Sequence, residues 1–196
     1  MMNKTLSIAL KEWAIVCDAL LTGRQAILLR KGGIHETAGE FELEHREFLF
    51  FPTYLHQNSD SVKPSWRDRI QTRDAEPATV QIAGWAVVHW IGRVVDRLKF
   101  DRLDDLHIWN KPLIDMRFNY RPDNPLYVIL LRTYRLEQNV SMAIDFDYAG
   151  CRSWVPLKTS VNIDASRAVL PEEQLLEIKQ RIIDAGAADQ DSSDRP

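Results

Sequence analysis

The sequence predicts one α+β domain, a mixed or mostly antiparallel sheet with flanking helices and a C-terminal helix. Three observations carry this. The 196 residues are 45% apolar and 27% charged, close to the globular average and within the size that one core supports. Short apolar runs stopped by Gly, Pro or Asn fill the first two thirds of the chain, as strands and turns require. One segment near the end carries a full set of helix start and stop signals. The domain is expected over residues 1–186. A small, polar, acidic tail at 187–196 has too few apolar side chains to order itself.

Taken in order, Trp13-Ala14-Ile15-Val16 reads as a strand, followed by a short helical stretch to Leu21, a Thr22-Gly23 stop and a second strand at Ala26–Leu29. A helix throughout Leu6–Leu21 fits as well, because Leu6, Leu10, Trp13, Val16, Cys17 and Leu20 fall at helical spacing. Gly32-Gly33 ends the second strand. After an acidic stretch, Phe48-Leu49-Phe50-Phe51 forms a buried-strand run that stops at Pro52. Residues 57–77 are polar, with two prolines flanking Trp66, and predict a surface connection with one helical turn, suited to a lid or binding loop.

Residues 80–98 meet two templates. Val87, Val88, Ile91, Val94, Val95 and Leu98 keep a helical period, while the β-branched content and two glycines favour strand. Strand is the reading adopted, with a bend or bulge at Gly92. Asp104 and Asp105 suit a short turn, Leu113–Phe118 alternates imperfectly like a strand, and Leu126–Arg132 is a continuous buried-strand run. Pro171, Glu172 and Glu173 at the start, Leu175, Leu176, Ile178, Ile182 and Ile183 on one face, and Gly186 at the stop set the C-terminal helix at 171–185.

The net charge of −3 hides an asymmetry: six basic against eight acidic residues before Ser61, thirteen against nine from Ser61 to Arg135, and six against eleven thereafter. A basic centre suits phosphate, although a solvated mixed surface has the same composition. No apolar run approaches the roughly 18–20 residues that cross a bilayer, and no cleavable leader is recognised, so no membrane association is expected and the cytoplasm is the expected compartment. Cys17 and Cys151, far apart in apolar or aromatic surroundings, read as reduced structural thiols.

Three constellations offer binding chemistry. In Arg30-Lys31-Gly32-Gly33-Ile34-His35-Glu36, two cations sit beside glycines that admit a phosphate close to backbone amides, although an ordinary glycine turn has the same residues. Thr53, Tyr54, His56 and Gln57 crowd a hydroxyl, a phenol, an imidazole and an amide at a strand end, as a site rim or as turn caps and core. Trp109-Asn110-Lys111-Pro112, with Arg117, Asn119, Tyr120 and Arg121, interleaves aromatics with cations. Base stacking plus phosphate contact uses that pattern, and so does a β core. The five histidines are scattered without ligand spacing, so neither metal nor cofactor is expected. A nuclease-type set of acids and a lysine would draw on Glu36, Glu47 and Lys63, or on Asp145 and Lys158, and a hydrolase set on His35, Glu36, Glu47 and His56.

Leu10-Lys11-Glu12-Trp13-Ala14, Leu28-Leu29-Arg30-Lys31-Gly32-Gly33-Ile34, Phe51-Pro52-Thr53-Tyr54 with His56-Gln57, and Arg117 to Pro122 through Pro125-Leu126-Tyr127 resemble the bacterial family of domain of unknown function 1802. The resemblance runs from about Leu10 to Pro156. It implies a setting in restriction or DNA defence, because some members appear alongside restriction-type nuclease domains. Residues 13–30 also resemble the opening of PUA-like proteins, which implies a partly open β-barrel.

Together these readings lead to a non-enzymatic binding module for DNA or RNA. The expected contacts are Arg30, Lys31, Gly32, Gly33, His35, Glu36, Thr53, Tyr54, His56, Gln57, Trp109, Lys111, Arg117, Tyr120 and Arg121. Cations would take phosphate, Trp109 or Tyr54 would stack, and Gln57 and His56 would read polar edges. The alternatives are a metal-dependent nuclease or other hydrolase, and a regulatory subunit that docks on a protein partner.

Overall fold

The computed structural model describes residues 4–31, 36–37, 40–41, 43–94, 96–148, 150 and 152–189; for 36–37 and 40–41 only the backbone is described. The chain forms β1 (Thr5–Trp13), α1 (Ala14–Leu21), β2 (Ile27–Arg30), β3 (Glu36–Thr37), β4 (Glu40–Phe41), β5 (Glu47–Thr53), α2 (Pro64–Arg67), β6 (Thr79–Val94), α3 (Arg97–Phe100), α4 (Lys111–Asn119), β7 (Leu126–Ala143), β8 (Trp154–Asn162), β9 (Ser166–Ala168), α5 (Glu172–Asp184) and β10 (Ala187–Asp189). Short 3-10 segments occupy Ser59–Ser61, Asp101–Leu106 and Phe146–Tyr148.

Eight strands make one sheet in the order β2-β7-β6-β5-β1-β8, with β10 added to β6 and β9 to β7. It is antiparallel except where β5 runs parallel to β1. The sheet curls without closing, and the helices flank it: this is the α+β, partly open architecture expected, with α5 as its C-terminal helix.

The run Phe48–Phe51 is apolar throughout because β5 is buried on both faces. Phe48 and Phe50 join one core with Leu10, Val16, Leu20, Ile27 and Leu130, while Leu49 and Phe51 join a second with Ala9, Ile82, Trp85 and Val155. α1 covers the first face with Ile15, Val16, Ala19 and Leu20. Gly23, at φ +70°, turns the chain out of α1, a conformation that a residue with a Cβ rarely adopts. The last paired position between β5 and β6 is Leu49↔Trp85. Beyond it β5 runs on against β1 alone, while the first half of β6 pairs with β7, so the two strands part.

Four readings are corrected. The strand read at Trp13–Val16 ends at Trp13 and the helix begins at Ala14, because residues 5–13 are held between β5 and β8. The bulges of β6 fall between Ile82 and Gly84 and between Val88 and Trp90, not at Gly92. Gly92 is small for a packing reason: a Cβ there would collide with the Trp90 indole. Leu113–Phe118 is helix, started by Asn110, whose side chain accepts from Leu113 N at 3.0 Å, with Pro112 in the first turn. Ala187–Asp189 pairs with Gly92–Val94 as a strand, so the tail does not begin there.

Candidate nucleic-acid interface

The end of β1 is where the separate motifs meet. Glu12 lies beside Pro52 in the parallel β1–β5 register, and Trp13 lies beside Thr53. The Glu12 carboxylate accepts from Arg30 Nη2 at 2.8 Å, and both side chains are largely enclosed. Thr53 Oγ1 donates to the Glu12 carbonyl at 3.1 Å. Arg30 closes β2, which pairs with β7 from Ile27↔Leu130 to Arg30↔Tyr127, so the sheet itself carries this guanidinium to the site.

From the other side α4 delivers Arg117. Its Nη1 donates to Leu29 O at 3.1 Å, and its guanidinium lies 5.6 Å from the Trp109 ring centre. Arg117 Nε is enclosed and has no hydrogen-bond partner among the described residues. Burial pulls the Arg117 pKa below its ordinary value; the Glu12 charge opposes this and the Arg30 charge adds to it. Lys31 Nζ donates to Phe118 O, and burial lowers its pKa. Arg30 and Arg117 therefore flank one carboxylate among the described residues, Glu12, while Lys31 is tied to the last turn of α4.

Trp109 stands edge-on to Trp13, with ring centres 5.4 Å apart. It is 3% exposed, so it is a wall of the core and offers no free face. Tyr120, just past α4, is 55% exposed, with Arg121 5.4 Å from its ring. Arg121 holds φ +45°, a left-handed turn that throws these two side chains outward.

Other expected contacts have different surroundings. Gln57 is buried: its Oε1 accepts from Ile15 N at 2.9 Å and its Nε2 donates to Gln71 O at 2.8 Å. It thus caps the start of α1, which has no side-chain cap of its own. Tyr54 N and Leu55 N donate to Glu76, and Arg73 lies 4.5 Å from the Tyr54 ring. His56 is exposed at φ +67°. Lys111 sits about 9 Å along the α4 axis from Arg117, at 3.5 Å from Asp101 and 3.6 Å from Asp115, away from the cluster. Gly32, Gly33 and His35 lie outside the described residues, as does the Glu36 side chain.

The hydrolase constellation does not assemble in the part that is described. Glu47 pairs with Lys4 at 2.9 Å, and His56 lies beyond the opposite end of β5, about 20 Å of strand away. Lys158 sits between Asp145 at 2.6 Å and Asp147 at 3.0 Å, a surface ion pair. Among the described residues no three His, Cys, Asp or Glu side chains form a metal-binding group, and no helix is long and apolar enough to cross a membrane.

Sequence reasoning missed Glu12 as the hub. The available signal was a lone acid between Leu10 and Ile15, in a stretch that is apolar apart from Lys11 beside it. Its significance depends on the register that sets it opposite β5 and beside Arg30.

Comparison with known proteins adds a family. No curated protein matches the chain. A crystal structure of a variant ASCH protein from Zymomonas mobilis superposes with TM-score 0.43 at 12% identity, over 93% of this chain and 98% of that one. The structure titled simply as ASCH from the same organism gives TM-score 0.41 at 13% identity, over 93% and 96%. The profile described as Domain of unknown function (DUF1802) matches residues 9–181, beyond the stretch from Leu10 to Pro156 that carries the motifs, and the chain belongs to that family.

Proposed function

We propose that the protein is a nucleic-acid-binding module whose contact surface is the cleft at the end of β1. The observation that carries this reading is the meeting of Arg30 and Arg117 at Glu12, with Lys31 held on Phe118 O in the last turn of α4. Two guanidiniums against one carboxylate among the described residues leave a positive site, and partly desolvated guanidiniums bind phosphate more strongly than exposed ones. Glu12 holds Arg30 in place until a phosphate oxygen competes for the same N–H groups. Tyr120, exposed and next to Arg121, supplies the stacking surface that Trp109 cannot. The setting on this reading is cytoplasmic, in restriction or DNA defence.

The test is fluorescence anisotropy with labelled single-stranded and duplex DNA and RNA at two salt concentrations. Binding should weaken steeply with salt, and Arg30→Ala with Lys31→Ala should cost at least about tenfold and flatten the salt slope by about two phosphate contacts. Unchanged affinity in that folded double variant would sink the assignment. Absence of binding to every polynucleotide would favour a protein partner instead.

A further inference from the structure

Where β5 parts from β6, a cavity of about 200 Å³ opens against α1. Cys17, Leu21, Phe50 and Pro52 give it apolar walls, while Asp18, Gln81 and Arg135 supply polar groups. The backbone contributes as well. Arg46 O accepts from Val88 N at 2.8 Å, so the even-numbered residues of β5 direct N–H and C=O toward β6. Past Leu49 the same alternation turns the backbone of Phe50 and Pro52 to the opening, where the missing N–H of proline costs no ladder bond.

One side of this cavity carries an unusual charge pair. Arg135 of β7 stands directly opposite Arg167 of β9, and on its other side opposite Gly84 of β6. Directly opposed side chains share a face, so two guanidiniums lie side by side. Neither makes an ion pair among the described residues, and both are exposed. Like charges in this position destabilise a sheet, and a bound anion would relieve them. Gly84 completes the row: a Cβ there would collide with Leu21 Cδ2 and Tyr134 O, so Leu21 packs flat over the strand and no β6 side chain separates Arg135 from the cavity it lines.

We infer that this is a site for one unpaired nucleotide, its base in the cavity between α1 and β5 and its phosphate on Arg135 and Arg167. The inference rests on the nucleic-acid reading above and narrows it to single strands or extruded bases. The apolar walls receive the faces of a base, and the Gln81 amide and Asp18 carboxylate meet its edge. Paired guanidiniums offer a phosphate several N–H donors in planar forks. Ala14, Asp18 and Tyr54 also line an adjoining cavity of about 300 Å³ that includes Arg69, 3.1 Å from Asp18, so the groove continues past a single residue of polynucleotide.

The test compares a labelled single strand with its duplex on wild type, Arg135→Gln/Arg167→Gln, Gln81→Trp and Arg30→Ala/Lys31→Ala, with a thermal melt of each. The arginine pair variant should lose about tenfold in single-strand affinity, hold duplex affinity within about twofold, and melt no lower than wild type, because repulsion has been removed. Gln81→Trp, which fills the mouth and leaves both arginines, should lose single-strand affinity as well. Equal loss for strand and duplex, no loss for either, or a lowered melt in the arginine variant overturns the site. Binding that needs Arg30 and Lys31 but ignores Arg135 and Arg167 overturns this inference alone. A wild type that binds no polynucleotide overturns both readings.

Discussion

At its N-terminal end α4 sets Lys111 and Asp115 against Arg97 and Asp101; at its C-terminal end it sets Arg117 beside Arg30, with Lys31 on Phe118 O and Glu12 the one carboxylate among the described residues. The residue types are the same and the sequence treats both ends as one basic, aromatic stretch. Their charge balance separates them. Arg97 donates to Asp101 at 2.5 Å and to Asp115, so cations and anions match in a surface network. Around Glu12 the cations outnumber the acid and are partly withdrawn from water. Surface pairs contribute about 0–1 kcal/mol each, whereas an enclosed, uncompensated cation is costly unless something else meets it. Composition alone therefore does not separate the two ends of α4; the local supply of counter-charge does.

The strongest way to break this comparison is Glu12→Ala. It leaves Arg30 and Arg117 with no carboxylate between them and should cost about 3 kcal/mol, read as a lower urea midpoint. A loss below about 1 kcal/mol, the scale of a surface pair, would make the two ends of α4 equivalent.

A change of pH probes the other end. His107 is buried against Phe100, with ring centres 5.7 Å apart, and burial, helped by the Lys63 charge, lowers its pKa from 6.5 to about 4. The folded chain thus refuses a proton that the unfolded chain accepts. This contribution is complete above 6.5 and is lost as pH falls toward 4, by up to about 3 kcal/mol. Urea midpoints near neutrality and in mild acid should show the fall, and His107→Phe should flatten it. If His107→Phe keeps the full slope, the proton uptake belongs elsewhere. Asp101, held below its ordinary 3.8 by the Arg97 hydrogen bond, loses its contribution only at lower pH, as it protonates.

The smallest effect sharpens the contrast. Lys111→Ala should change stability by less than about 0.5 kcal/mol and leave polynucleotide affinity unchanged, since its ammonium is well exposed and already matched. An affinity loss comparable to that of Arg30→Ala would extend the interface along α4.

The legible parts of the fold were those in which local pattern and tertiary role agree. Phe48–Phe51 could only be a doubly buried strand, and Pro171, Glu172 and Gly186 framed α5. β7 is legible only from Leu126 to Arg132, because its second half is apolar only at scattered positions such as Leu136 and Met142, broken by the exposed run Glu137, Gln138 and Asn139. α4 was misread although Asn110 and Pro112 announce a helix start; a six-residue window holds too few turns to reveal its period. At the site, Arg30, Lys31 and Arg117 were legible by residue type. The part played by Gln57 was not, because the amide it caps belongs to Ile15, on a different element.

The position of β1 has a consequence for how the chain folds. Leu10 pairs with Phe50 on one side and with Trp154 on the other. The first strand therefore waits for a partner from the last quarter of the polypeptide before its second edge is covered. Such distant pairings raise contact order and slow the search for the native topology. During synthesis an apolar edge stays open until β8 emerges, so this is a chain whose early folding is exposed to unwanted strand pairing.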